Sequence, residues 1–177
     1  GYWGSNYDLP FQTLSKLAAS DPTPAELLLV DTTVRPESLD GGSIYKDDPF
    51  SEVIEKLRRE GHIRTSSRVP LGSRLDLSYD EIQRFVLPNI ADTLGVDRSQ
   101  VRVPKLIENA LLLPFYPEFK GRSEIWEWYA DRTKSWWFLR GSNLTANFSQ
   151  GEMKGLPYLR YPSGGNYKLG FRPVIVF

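Results

Sequence analysis

The chain has 177 residues, enough for one domain with a substantial core, and no apolar run long enough to cross a bilayer. Lysine plus arginine and aspartate plus glutamate each total 22, and a net charge of zero argues against a nucleic-acid binder held by phosphate neutralisation. The absence of cysteine and the single histidine, His62, exclude disulfides, thiol nucleophiles, zinc-thiolate sites and multi-histidine metal centres.

The first part of the chain predicts a helix, a strand and a turn. Residues 8–17 favour a short helix that begins at Asp-Leu-Pro and has three apolar side chains on one side. The apolar run Ala25–Val30 predicts a buried strand, which the polar residues after it end. Residues 40–43 read Asp-Gly-Gly-Ser and predict a turn.

Two longer helices are predicted in the middle of the chain. The first has Asp48 as its cap, Pro49 as its first residue and Gly61 as its stop. Its apolar stripe consists of Val53, Ile54 and Leu57. The second begins with a capping box over residues 78–81 and ends at Gly95, with a kink expected at its proline. Its apolar positions are Ile82, Phe85, Val86, Ile90 and Leu94.

The character of the sequence changes after a third predicted helix, which Val103-Pro104 opens and which continues to about Leu112. From Pro114 onward, aromatic residues, glycines and short apolar runs alternate, and Pro173–Phe177 predicts a terminal strand. Helices first and strands last indicate an α+β fold, and we expect a single domain over residues 1–177.

Three sequence blocks in the second half of the chain follow one another in order. Arg102-Val103-Pro104 precedes a helix that contains Glu108, and Glu124–Asp131 reads Glu-Ile-Trp-Glu-Trp-Tyr-Ala-Asp. Leu139-Arg140-Gly141-Ser142 then leads to Gly170-Phe171-Arg172. Over about residues 78–177 these blocks resemble the formylglycine-generating-enzyme branch of the C-type lectin fold, whose members show R-L-P-T-x-x-E-W, N-V-W-E-W-T-x-D, L-R-G-G-S-W and G-F-R. The resemblance implies helices packed on a small antiparallel sheet, with long irregular loops.

The residues that perform the known chemistry of this branch are missing from the sequence. Formylglycine-generating enzymes hold copper with cysteines and the related sulfoxide synthases hold iron with a histidine cluster, but this chain has no cysteine and one histidine. The Glu-Pro-Asn and Trp-Asn-Asp motifs of calcium-type sugar-binding lectins are also absent. We therefore expect a protein without catalytic activity, cofactor or metal.

The variable proteins of diversity-generating retroelements use this scaffold without its chemistry. These proteins of phages, bacteria and archaeal viruses vary the residues between the R-G-S block and the final G-F-R. The matching segment here, Asn143–Lys168, is rich in Asn, Ser, Thr, Tyr and Gly, as antibody loops are, although an ordinary surface loop has a similar composition. The resemblance implies that a virus or surface adhesin uses this segment to bind a protein or glycan on a host or neighbouring cell.

The expected contact residues are exposed aromatic, amide, hydroxyl and cationic side chains in and before this segment. They are Tyr129, Arg132, Trp136, Trp137, Asn143, Thr145, Asn147, Tyr158, Tyr161, Asn166 and Tyr167. Adjacent residues of a strand face opposite ways, so one of the tryptophans at positions 136 and 137 is expected to be buried and the other exposed.

Other residues of the three blocks are expected to hold the frame together. Trp126 and Trp128 face the same side of an extended segment, and the resemblance implies that one or both of them are core residues. Arg140 and Arg172 are predicted to make buried ion pairs or backbone contacts, and Glu127 belongs to the same framework. Asp47, Asp48 and Asp131 suit calcium, but capping and ion pairing explain them as well, and His62 is expected at the surface.

Two alternatives remain open at the level of sequence. An enzyme of this branch that uses carboxylates or a metal would place Glu124, Asp131 or Glu152 in a deep pocket with a shifted pKa. A structural module of a virion would pack the Asn143–Lys168 segment against a sister subunit. We expect no nucleic-acid partner and no insertion into a membrane.

Overall fold

The computed structural model describes most of the middle of the chain and the strands of its second half. The described residues are 27–33, 45, 47–105, 108, 126–132, 138–141, 145–147, 152–154, 158–160, 163–165 and 167–177. They form a mixed α+β structure with few helices and small sheets, which confirms the predicted class. No helix of this part is long and apolar enough to span a bilayer. The predicted helix at 8–17 and the turn at 40–43 lie outside it.

Helix α1 spans Ser51–Arg59 and begins later than predicted. Asp48 does not cap the helix with its side chain. One of its oxygens accepts a hydrogen bond from the backbone N–H of Phe50 at 2.9 Å, and its carboxylate also pairs with Arg74. Gly61 follows the end of the helix with φ of +75°, a conformation that other residues resist, so the predicted stop is confirmed.

The second predicted helix is built in three parts. α2 spans Tyr79–Glu81, a π-helical stretch spans Ile82–Val86, and α3 spans Leu87–Leu94. The π-helical stretch ends just before Pro88, the position at which a kink was predicted, and proline has no N–H with which to continue the regular ladder. Gly95 ends α3 with φ of +68°, as predicted.

The predicted capping box at the start of α2 is confirmed. The Ser78 hydroxyl accepts from the Glu81 N–H at 3.2 Å, and the Glu81 carboxylate accepts from the Ser78 N–H at 2.8 Å. The same carboxylate accepts from the backbone and the guanidinium of Arg64, at 2.7 and 2.8 Å. Burial by itself would raise the pKa of Glu81, but the hydrogen bonds from Ser78 and Arg64 and the Arg64 charge lower it below its ordinary value of 4.5.

We expect this carboxylate to make the stability of the protein decline in acid. Because its pKa is lower in the folded than in the unfolded chain, its contribution is present above 4.5 and is lost as the pH falls below that value. Urea unfolding midpoints between about pH 6 and pH 3 should therefore fall less steeply in Glu81→Gln than in the wild type. The exposed Glu52→Gln is the matched control, and an equally steep decline in both variants would contradict the expectation.

A three-stranded antiparallel sheet joins the first described strand to the last. Its order is β1-β9-β2, where β1 is Leu28–Val30, β9 is Val174–Val176 and β2 is Val101–Arg102. The predicted terminal strand is confirmed. The strand predicted to be buried is observed, but Leu29 is 54% exposed because β1 forms the edge of the sheet.

The second sheet is mixed and has the order β7-β4-β3-β8. Its strands are β3 (Trp126–Arg132), β4 (Phe138–Gly141), β7 (Tyr158–Arg160) and β8 (Leu169–Gly170). β4 pairs antiparallel with both β3 and β7, whereas β8 pairs parallel with β3, so the antiparallel prediction fails for that pair. Between β4 and β7, strands β5 (Thr145–Asn147) and β6 (Glu152–Lys154) form a separate antiparallel pair.

The core lies between the helices and these sheets. It contains Ile54, Leu57, Leu77, Ile82, Val86, Ile90, Val101, Val103, Trp128, Leu169 and Phe171, among others. Trp128 is fully buried, and its indole N–H donates to the Leu77 carbonyl at 3.0 Å, so its predicted core role is confirmed. His62 is exposed and stacks on Phe85 with ring centroids 5.7 Å apart, as expected of a surface residue.

Residues 103–105 have no regular secondary structure, although a third helix was predicted to open there. Glu108 is helical, and it accepts a hydrogen bond from the backbone N–H of Lys105 at 2.7 Å. Its carboxylate also receives two hydrogen bonds from Arg102, at 2.8 and 2.6 Å. The other residues of the predicted helix, 106–107 and 109–112, lie outside the described part.

Candidate functional site

The two ends of the segment that was predicted to bind a ligand are attached to the same strand. Glu127 of β3 pairs with Gly141, the last residue of β4, on one side. It pairs with Gly170 of β8 on the other side. Neighbouring strands lie about 4.8 Å apart, so these two attachment points, one on each side of β3, are separated by about 10 Å. We call residues 143–168, which lie between these points, the display segment.

Glu127, whose backbone lies between these two attachment points, has a buried side chain. It is 3% exposed, and one of its oxygens accepts hydrogen bonds from the Tyr45 hydroxyl at 2.9 Å and from Arg172 at 3.3 Å. Arg172 also donates to the carbonyls of Asp31 and Thr33. The predicted framework role of Glu127 and the predicted buried contacts of Arg172 are confirmed.

Tyr45 acts as a neutral donor in this cluster. Burial and then the negative charge of Glu127 raise the pKa of Tyr45 well above its ordinary value of 10.0. The phenol therefore stays protonated at neutral pH and can donate to the carboxylate. Its oxygen also explains why β8 contains a glycine, because a Cβ on Gly170 would lie 2.8 Å from the Tyr45 hydroxyl and 3.0 Å from Leu75.

A second buried arginine pairs with two carboxylates beside the ring of Tyr45. Arg74 is fully buried and donates twice to Asp48, at 2.7 and 2.6 Å, and also to Asp31. Its guanidinium lies 4.6 Å from the ring centroid of Tyr45 and 5.0 Å from that of Phe50. Burial would raise the pKa of Asp31, but the Arg74 charge and the hydrogen bonds from Thr33 and Arg74 lower it.

These pairings account for the buried carboxylates. Asp48 pairs with an arginine, one of the two explanations that the sequence left open beside calcium. The described residues contain no group of three or more histidine, cysteine, aspartate or glutamate residues that could hold a metal ion. Asp131 and Glu152 lie in strands β3 and β6, and Glu124 lies outside the described residues.

A loop from the first half of the chain lies beside the far end of the display segment. Arg64 donates to the Ser163 carbonyl at 2.9 Å, and the Asp76 N–H donates to the Leu169 carbonyl at 3.1 Å. Gly165 is close to both residues, since a Cβ there would lie 2.6 Å from the Arg64 guanidinium and 2.9 Å from the Asp76 carbonyl. We call residues 64–76 the side loop.

Tyr129 does not lie where the sequence led us to expect. It is 1% exposed, so its side chain is not available at the surface. β3 has neighbours on both sides in the sheet, and successive side chains of a strand face opposite ways. Glu127 and Tyr129 share one face, Trp128 lies on the other, and all three are buried. The central position of β3 therefore accounts for the burial of Tyr129.

The other expected contact residues divide into three groups. Strand positions are occupied by Arg132, Thr145, Asn147 and Tyr158. Tyr167 is partly buried and packs against Tyr45, Val69 and Leu75. The residues outside the described part are Trp136, Trp137, Asn143, Tyr161 and Asn166. The structure thus brings Tyr167 against the side loop, a neighbour that the sequence did not predict.

Comparisons with known proteins found no matching family model, no matching curated protein and no matching solved structure. Function is therefore inferred from the arrangement of residues. The described buried carboxylates of Asp31, Asp48 and Glu127 each bond to an arginine, an arrangement suited to holding a fold together. The display segment is anchored at both ends to that frame, an arrangement suited to presenting side chains.

Proposed function

We propose that this protein is a non-catalytic ligand-binding protein with a C-type lectin scaffold of the formylglycine-generating-enzyme type. In this proposal the display segment binds a protein or glycan on a host or neighbouring cell, as in the variable proteins of diversity-generating retroelements. The observation that carries the proposal is the position of Glu127 between Gly141 and Gly170, which fixes both ends of the segment on one buried strand.

The residues that carry the family resemblance support the proposal through their contacts. Trp128 fills the core, Glu127 pairs with Arg172, and Arg102 pairs with Glu108. Each of these residues is occupied in holding the frame, and the polar segment between the last two blocks remains for recognition. A frame ordered before binding loses little conformational entropy when a ligand binds, which favours affinity.

The proposal can be tested with two matched libraries. In the first, Thr145, Asn147 and Tyr158 of the display segment are randomised; in the second, Glu127, Trp128 and Arg172 of the frame are randomised. Both libraries are displayed on yeast and scored for folding and for binding to a panel of purified glycans and cell-surface proteins. We expect most members of the first library to fold, because the proposal places these side chains at the surface, where substitutions change stability by only about 0.5 kcal/mol.

The binding profile should change from member to member of the first library, whereas few members of the second should fold. The proposal fails if the segment library unfolds as often as the frame library, or if binding does not depend on the segment.

Diversification is tested separately in the genome. An adjacent reverse transcriptase and a near-copy of the segment that differs only at adenines would support it, and their absence would remove that part of the proposal.

A further inference from the structure

The side loop contacts the chain near the end of the display segment and just after it. Arg64 bonds to Ser163 at the start of this contact, and Asp76 bonds to Leu169 at its end. Between these two hydrogen bonds, the Arg68 guanidinium lies over the Tyr167 ring, 5.0 Å from its centroid. A residue outside the display segment therefore lies beside one of the expected contact residues.

Arg68 differs from the other arginines of this region. Arg64 pairs with Glu81, Arg74 pairs with Asp31 and Asp48, and Arg58 donates to backbone carbonyls. Arg68 is exposed, and no carboxylate of the described residues pairs with its guanidinium. Its only described guanidinium contact is with the face of Tyr167.

The Tyr167 ring, over which the Arg68 guanidinium lies, is held in place by its own packing. The ring packs against Tyr45, Val69 and Leu75, and Tyr45 is itself fixed by its hydrogen bond to Glu127. An arginine over an aromatic ring is attracted to the ring face and loses side-chain freedom before any ligand arrives. The Nζ atom of Lys168 lies near the same ring, 5.9 Å from its centroid.

We propose that Arg68 and Tyr167 form a subsite for an oxyanion, a carboxylate or sulfate group, on an acidic glycan bound by the display segment. A guanidinium presents a planar set of donors that matches the two oxygens of such a group, and hydrogen bonds between charged partners are stronger than neutral ones. The inference rests on the proposed function and adds a residue from outside the display segment to the binding surface.

The composition of the display segment suits a glycan. Its many amide and hydroxyl groups can bond to sugar hydroxyls. Tyrosine rings also provide flat apolar surfaces, so a sugar ring can stack beside the oxyanion subsite.

The test uses the full chain and a panel of oligosaccharides prepared as matched neutral, carboxylated and sulfated versions. Affinities are measured by calorimetry for the wild type, Arg68→Gln, Arg68→Lys and the control Arg84→Gln. Arg84 is a matched control because it is also exposed and lies 5.3 Å from the centroid of an aromatic ring, that of Phe85. Thermal unfolding is recorded for every variant, and Arg68→Lys reveals whether any loss follows the charge.

We expect the wild type to bind at least one acidic oligosaccharide about tenfold or more tightly than its neutral version, the gain typical of a charged hydrogen bond. Arg68→Gln should remove that preference, Arg68→Lys should keep part of it, and Arg84→Gln should behave as the wild type. The carboxylated and sulfated members identify which oxyanion is bound. Higher salt should weaken the acidic preference and leave neutral binding unchanged.

Three results would overturn the inference: no binding to the panel, equal binding to neutral and acidic members, or equal losses in Arg68→Gln and Arg84→Gln. Different results decide whether the proposed function is right. If library members bind a protein or a neutral glycan through the display segment while Arg68→Gln has no effect, the subsite is wrong and the proposed function stands. If binding never depends on the segment, both are wrong.

Discussion

Replacing Arg74 by methionine is expected to lower the free energy of unfolding by about 3–5 kcal/mol, the usual effect of removing one partner of a buried ion pair. The side chain is fully buried, and the substitution leaves the carboxylates of Asp31 and Asp48 without their cationic partner. It also removes the cation that lies over the rings of Tyr45 and Phe50. Urea denaturation at neutral pH, followed by tryptophan fluorescence, measures the change.

Two further variants make this expectation specific. Arg98→Met removes an arginine that pairs with Asp92 at 2.7 Å on the surface, and it should change the unfolding midpoint far less because water screens that pair. Adding Asp48→Asn to Arg74→Met should recover part of the loss, since one uncompensated negative charge is then removed. If Arg74→Met and Arg98→Met shift the midpoint equally, the buried cluster does not stabilise the fold as described.

Replacing Glu127 by leucine is expected to have a similarly large effect, about 3–5 kcal/mol. The change removes the carboxylate that faces Arg172 in the core and the acceptor of the Tyr45 hydroxyl. Glu127→Gln should lose less stability, because an amide oxygen of the same shape can still accept these hydrogen bonds. The exposed Glu52→Leu, on α1, is the matched control and should leave stability nearly unchanged.

Glu127 also has an expected local effect, because its backbone lies between the two attachment points of the display segment. Glu127→Leu should increase the rate of hydrogen exchange at the amides of β3, β4 and β8 relative to the wild type. The increase should be larger in these strands than in helix α1. Exchange that increases evenly over the whole protein would mean that Glu127 stabilises the fold without any special relation to the segment. Unchanged unfolding midpoints in Glu127→Leu would contradict the buried ion pair itself.

Local sequence signals predicted the local parts of the fold. The capping box over residues 78–81 depends on contacts three residues apart, and the stops at Gly61 and Gly95 depend on the backbone freedom of single residues. The core position of Trp128 was implied by the family resemblance of its block. The capping box and the two stops are each determined by a few neighbouring residues, which is why the sequence alone was sufficient for them.

Long-range contacts account for what the sequence could not predict. Asp48 resembled a helix cap, but its carboxylate pairs with Arg74, 26 residues away along the chain. Tyr129 resembled a surface contact, but it is buried because β3 has a neighbouring strand on each side. The two attachment points of the display segment depend on a parallel pairing between β3 and β8, and the side loop reaches the segment from almost one hundred residues away. No local pattern encodes such distances.

The hairpin formed by β5 and β6 is joined by residues 148–151 and lies inside a segment whose ends are already fastened. The entropic penalty for closing a loop increases only with the logarithm of its length, so doubling a connection adds about 0.6 kcal/mol. Insertions between β5 and β6 should therefore lower the free energy of unfolding only slightly. Under the proposed function, a change in the length of this connection would alter the binding surface, as an exchange of side chains would.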